Sequence, residues 1–266
     1  MARAVTRRAQ PLPRQRTTPV SGAPDLARVR SIDALRAVAL LMMFAYHFAF
    51  DLRYYRVIAA DFEHDPLWLG FRALIVTSFM TLVGISIVLA DVQHVPFSRF
   101  LRRVGWIAAG ALAATAASWI TFPASFIYFG ILHCIALTSL LAWPLRRTPY
   151  TAMALGIGVL AAGLAFTSPL FDAKHWSWIG FMTHKPFTED YVPLAPWSAA
   201  TFIGIAIGHA LVRTRFRALA VLDGTPGWLR WMGRHSLIIY LAHQPIFLAV
   251  LIIFKKLFHS LFSYRD

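Results

Sequence analysis

The sequence predicts an all-α protein, a polytopic transmembrane helical bundle of about seven spans. Hydrophobic residues make up 58% of the 266 and charged ones only 14%, roughly half the charge share of a soluble domain. Apolar runs recur near 34–50, 67–90, 104–122, 126–144, 150–168, 194–212 and 235–254. Each is close to the ~20 residues that a helix needs to cross the hydrocarbon. Period-two alternation is missing, which argues against a transmembrane barrel.

The net charge of +14 raises nucleic acid as a partner, but the placement of the charges argues against it. Arginines gather at Arg3–Arg30, at Arg99, Arg102 and Arg103, at Arg146 and Arg147, at Arg213–Arg217, and at Arg230 and Arg234. With seven spans these clusters share one side, the positive-inside bias that sets the N-terminus in the cytoplasm. The basic excess is therefore topological, membrane lipid is the expected surrounding partner, and no nucleic acid is expected.

Taken in order, residues 1–29 carry Pro, Gln, Thr and Arg with few large apolar groups and are expected to form a disordered basic cytoplasmic tail. They lack the early apolar run and small-residue cleavage site of a signal peptide. Residues 30–266 are expected to form one integral-membrane domain. Its first loop, 53–66, is acidic in "DFEHDP"; the second span carries Arg72 near its outer end. A short turn around Pro123 precedes the fourth span, which holds His133 and Cys134, the single cysteine. One cysteine excludes an intramolecular disulfide and a cysteine-rich metal site, so no metal is expected.

The loop 169–193 is rich in Trp, His and Lys and ends near Asp190–Tyr191; its Trp176 and Trp178 read as interfacial anchors. "GIAIG" at 204–208 is a small-residue packing surface. The segment 219–234 is broken by Asp223, Gly224, Pro226 and Gly227 and is expected to lie at the interface rather than span. The last span carries His243 and Gln244, and Lys255 and Lys256 after it run against the charge bias.

The first span holds the most informative pattern. Arg36 and His47 are eleven positions apart, which at 100° and 1.5 Å per residue places them about 20° apart on one face and ~16 Å apart along the axis. His47 and Asp51 stand at i and i+4, Asp33 and Arg36 at i and i+3. Ionisable groups inside a membrane are expensive and mark function by default. The pattern reads as a stripe in which His47 accepts a proton while Asp51 fixes its tautomer and stabilises the imidazolium. A proton-coupled transporter or flippase would use the same groups as a relay, and a catalytically silent scaffold is a third reading. No internal repeat supports an inverted-repeat transporter.

The blocks "IDALRAVALLMMFAYHF", "FRALIVTSFMTLVGISIVLA", "YFGILHCIALTSLLA", "DYVPLAPW" and "GRHSLIIYLAHQPI" resemble, in this order, the membrane acyltransferases that include the heparan-α-glucosaminide N-acetyltransferase catalytic domain. The likeness covers most of residues 30–250, in the manner of short bacterial members. More distantly it is similar to the family that O-acetylates bacterial surface polysaccharides. The resemblance implies transfer of an acetyl group from acetyl-CoA, on the cytoplasmic side of a bacterial inner membrane, to an amino sugar or related glycan acceptor on the far side.

Asp33 and Arg36 match the acidic and basic positions of the family's opening motif. His47 matches the histidine of the O-acetylating relatives, where the heparan enzyme has asparagine, and His64 is the nearest counterpart of the heparan enzyme's own active histidine. Arg36, Arg102, Arg103 and Arg234 are the cations available to the CoA phosphates. Arg72, His133 or Gln244 would donate to the thioester oxygen; His243 would line the cavity, and Asp190 and Tyr191 would shape the acceptor entrance. Both N- and O-acetylation, a direct or a two-step route, and a homo-oligomeric assembly are compatible with this reading.

Overall fold

The structure, a computed structural model, describes the backbone of residues 29–262 and side chains through Phe254. The basic tail expected over 1–29 lies, Val29 apart, outside the described residues. The elements run α1 (Arg30–Tyr54), α2 (Pro66–Val92), α3 (Phe97–Thr121), α4 (Ile131–Ala142), α5 (Pro149–Ala165), the short α6 (Lys174–Ser177), α7 (Leu194–Arg213), α8 (Gly227–Arg234) and α9 (Ser236–Phe262). Three 3-10 segments, Trp143–Arg147, Pro169–Asp172 and Arg217–Gly224, connect them. Among the described residues there is no strand.

The helix starts follow local chemistry. Asp65 caps α2 by accepting from the Leu67 amide at 2.8 Å, with Pro66 in the first helical position where its missing N–H costs nothing. Pro149 opens α5 in the same way.

Small residues set the central packing. A Cβ added at Gly84 of α2 would run into the Thr201 carbonyl of α7, and one at Gly204 into the Thr81 carbonyl. The "GIAIG" face is therefore where α7 meets α2, at backbone distance. Gly156 lets α5 sit on Ala199 and Ile203 of α7 in the same manner. Outside this core, α1 packs on α2, α8 and α9, and α3 on α4 and α9.

Large apolar side chains cover the outer surface, among them Trp106, Leu112 and Ile120 on α3 and Ile238 and Ile246 on α9. Such a surface is stable in lipid rather than water. Among the described residues five helices, α1, α2, α3, α7 and α9, are long and apolar enough to cross a membrane. The chain is a multi-pass, all-α membrane protein.

The remaining two expected spans fall on shorter helices, α5 of 17 residues and α4 of 12. The fourth starts at Ile131 rather than near 126 because the preceding segment pairs with the chain before α7. Glu189 N–H donates to the Ser125 carbonyl at 2.9 Å, Val192 N–H to Phe129 at 3.3 Å, and the Thr188 hydroxyl to Phe126 at 2.7 Å. Apolar composition alone does not separate such a buried loop from a helix. The interrupted segment 219–234 does not span: it holds the end of a 3-10 segment and α8, and Gly233 of α8 lies directly on the Asp33 carbonyl.

The basic clusters meet at one end of the bundle. Asp91, closing α2, takes Arg146 at 2.8 Å and Arg147 at 2.9 Å. His209 of α7 donates to the Arg146 carbonyl at 2.8 Å, and Arg234 of α8 reaches Asp33 of α1 at 3.5 Å. Between this basic end and the far end, Leu40 and Met43 of α1, Met80 of α2, and Cys134 and Ile135 of α4 are buried among apolar groups.

Candidate active site

At the basic end, Asp33 is only 2% exposed, and a carboxylate there requires cations and donors. Arg36 Nη1 bonds its Oδ1 at 3.0 Å, while Arg36 Nη2 donates to the Ser86 hydroxyl at 2.7 Å. The Ser86 hydroxyl passes its own proton to the Leu82 carbonyl at 2.5 Å, so it is free to accept.

Asp33, Arg36 and Ser86 line a cavity of about 320 Å³, together with Gln93, Arg99, Arg103 and Ser139. Its lining combines guanidinium groups and hydroxyls with Val83, Ile107 and Ile135, a chemistry that suits a polyanion on an apolar tail. Arg36 and Arg103, two of the cations named for the CoA phosphates, line this one cavity, and Arg234 adjoins them through Asp33. Arg102 is exposed and does not line the cavity, since one residue turns a helix by about 100°. Sequence reasoning did not single out Ser86, Gln93, Arg99 or Ser139; of these only Arg99 carried a signal, as part of a basic cluster.

At the far end, α1 and α9 bring together His47, Asp51, His243 and Gln244. The rings of His47 and His243 lie 5.0 Å apart. Gln244 Nε2 donates to Asp51 Oδ1 at 2.8 Å. Asp51 therefore does not fix the tautomer of His47, as the i, i+4 spacing suggested: one carboxylate oxygen takes the amide of α9 and the other has no partner among the described residues. His47 is half-buried, its ring set edge-on against Tyr46, which belongs to an aromatic cluster with Phe62, Trp68 and Phe71.

Asp190 joins three elements beneath this pair. Its Oδ2 accepts from Ile131 N–H of α4 and from the Tyr240 hydroxyl of α9, each at 3.2 Å. Burial pushes its carboxyl above the usual carboxylate range, and these donors pull against that shift. Arg72 makes no hydrogen bond or ion pair among the described residues and lies within electrostatic reach of Tyr46, Asp190 and Lys185. Burial, followed by the Arg72 charge, pulls the Lys185 ammonium below its ordinary value.

Other expected site residues have structural partners. His133 accepts from Gly130 N–H on Nδ1 at 3.2 Å, so its proton sits on Nε2, 3.3 Å from Thr115 Oγ1. It is a cap for α4. The Tyr191 hydroxyl donates to the Ser177 carbonyl at 2.6 Å and braces the loop. His64 is 81% exposed and pairs with Asp61 at 3.0 Å, apart from the His47–His243 contact.

A family model described as heparan-alpha-glucosaminide N-acetyltransferase, catalytic, matches residues 28–245. No curated protein and no solved structure matches the chain. The match takes in both polar ends and every helix from α1 to the middle of α9. The chain belongs to this family of membrane acetyltransferases.

Proposed function

We propose that this member of the heparan-alpha-glucosaminide N-acetyltransferase catalytic family takes the acetyl group of acetyl-CoA at its basic end and passes it to an amino sugar or related glycan at its far end. The observation that carries the reading is the division of α1. Asp33 and Arg36 face a cavity with Arg99 and Arg103 at one end, and His47 and Asp51 meet His243 and Gln244 at the other. The two ends stand ~16 Å apart at 1.5 Å per residue, a distance comparable to an extended pantetheine arm.

In this mechanism the arginines hold the phosphates of CoA, and the thioester passes between α1 and its neighbours toward the imidazoles. The layer of Leu40, Met43 and Met80 has to part for it, and methionine adapts readily to such a change. The acceptor amine or hydroxyl attacks the thioester carbonyl, and an imidazole of the His47–His243 pair takes its proton. Arg72, uncommitted among the described residues, is the donor for the oxygen on which charge builds. The basic clusters support a cytoplasmic N-terminus and donor side, and the chemistry suits a bacterial inner membrane with the glycan outside.

The test is transfer of label from radioactive acetyl-CoA to glucosamine by the purified protein in detergent, with CoA binding measured alongside. Absence of both transfer and binding overturns the reading. Uptake driven by a pH gradient in proteoliposomes, without acetylation, would make the protein a transporter instead.

A further inference from the structure

Among the described residues, three buried side-chain atoms have no hydrogen-bond partner: Asp51 Oδ2, His243 Nε2 and Gln244 Oε1. Orphaned buried polar atoms are few in folded proteins and each calls for an explanation. All three lie on the seam between α1 and α9, and all three can be assigned as acceptors. A carboxylate oxygen accepts. Gln244 donates its Nε2 to Asp51, which leaves Oε1 as the acceptor end of the amide.

His243 is fixed by its own helix. Its Nδ1 lies in hydrogen-bond contact with the Tyr240 carbonyl, and a carbonyl only accepts, so the ring proton of neutral His243 is on Nδ1. Nε2 then carries a lone pair, in a side chain 7% exposed and enclosed by Phe44, His47, Tyr240 and Phe247. His133 has the opposite tautomer with both nitrogens engaged. His47 has neither nitrogen in a hydrogen bond among the described residues, so nothing fixes which one bears its proton. Pro245, directly after Gln244, cannot donate to the carbonyl four residues earlier, which weakens α9 at this point.

We infer that His243, rather than His47, is the general base, with the proton of the acceptor taken by Nε2; the inference rests on the acetyltransfer reading. The acceptor N–H or O–H bond breaks as its heteroatom bonds the acetyl carbonyl carbon. The proton goes to Nε2, the C–S bond breaks, and CoA leaves as a thiolate that recovers a proton from the imidazolium. The Tyr240 carbonyl keeps hold of Nδ1–H throughout, so the ring need not turn. Asp51 Oδ2 and Gln244 Oε1 accept the remaining N–H or O–H groups of the acceptor once α9 yields at Pro245. The ionisable groups around His243 are His47 and Asp51 from α1, Tyr240 from α9 and Asp190 from the loop before α7.

The test uses the full-length protein in detergent with radiolabelled acetyl-CoA and glucosamine. His243→Gln should lower turnover at least a hundred-fold, within the range for loss of a general base, while CoA affinity stays within about twofold. The acid limb of the pH–rate profile should vanish in the residual activity of His243→Gln, and His47→Ala should leave that limb in place. A ¹⁵N imidazole spectrum of the wild type, with His243 assigned by its loss in His243→Gln, should show a neutral ring protonated on Nδ1.

Retention of more than a tenth of turnover by His243→Gln, or an Nε2–H tautomer in the wild type, overturns the inference alone. Label that stays on the protein when no acceptor is present overturns it too, by making Nε2 a nucleophile. Wild-type protein that neither binds CoA nor transfers label overturns the acetyltransfer reading, and the inference with it.

Discussion

Arg234 brings its Nε to 3.5 Å from Asp33 Oδ2, tying α8 to the first turn of α1 across most of the chain's length. Arg36 holds the other oxygen of the same carboxylate. Asp33→Ala leaves two guanidinium groups without this counter-charge. Breaking a buried pair costs roughly 3–5 kcal/mol. Arg234 is 43% exposed, so the expected loss is about 1–3 kcal/mol, read as a lower midpoint of unfolding in detergent. Asp33→Asn should lose less.

Arg103 lines the basic cavity without belonging to the Asp33 pair. Arg103→Ala should raise KM for acetyl-CoA about ten- to a hundred-fold, the weight of one charge-assisted bond, and leave KM for the acceptor unchanged. Competition by free CoA should weaken in parallel. An unchanged donor KM would place the phosphates elsewhere.

Met43 is 2% exposed in the apolar layer between the two ends of α1. Met43→Trp adds volume where, on the acetyltransfer reading, the thioester would pass. Binding of CoA, measured by calorimetry, should persist while transfer falls at least tenfold, the cost of about 1.4 kcal/mol on the barrier. Equal loss of binding and transfer would show that the variant disturbs folding instead.

Gly84→Ala should be among the most damaging single changes, because the added carbon meets the Thr201 carbonyl and comes within 2.8 Å of Gly204 and Ile205 backbone atoms. Backbone on two packed helices cannot step aside, so about 3 kcal/mol or more is expected. Gly70→Ala and Gly105→Ala meet nothing within 4 Å and should change stability by less than about 1 kcal/mol. Thermal melts of the three variants in one detergent separate these outcomes.

The loop before α7 carries a pH dependence of known sign. The Thr183 hydroxyl, followed by its amide, donates to Asp172 at 2.7 Å and holds that carboxyl below the usual range. A depressed carboxyl contributes stability above its unfolded value of about 3.9 and loses it as pH falls through the lower folded value. Exchange protection around 168–184 should therefore be constant from about pH 7 to 5 and drop only below about pH 4. Asp172→Asn should remove the drop.

The longest elements were legible because lipid demands long apolar helices, and α1, α2, α3, α7 and α9 meet that demand in composition alone. The start of α4 was not: residues 126–130 are as apolar as a helix, and only their bonds to 188–192 make them a loop. Within the site, Arg36, Arg103 and the polar face of α1 followed from spacing and charge. The partner of Asp51 did not, since helical spacing shows which groups are near within a helix but carries nothing about Gln244 arriving from α9. His133 and His243 looked alike as intramembrane histidines. A Gly130 amide and a Tyr240 carbonyl, both backbone groups, give them opposite tautomers.

The buried band of Leu40, Met43 and Met80 has a consequence wherever the surrounding membrane is energised. Across a bilayer each elementary charge is worth about 2.3 kcal/mol per 100 mV. A continuous thread of water from Arg36 to the histidines would let hydrogen ions run down that gradient at every moment between turnovers. Buried thioether and aliphatic groups at its midpoint oppose such a thread. On the acetyltransfer reading, an opening that lasts only while a greasy arm fills it would let an acetyl group cross with the voltage conserved.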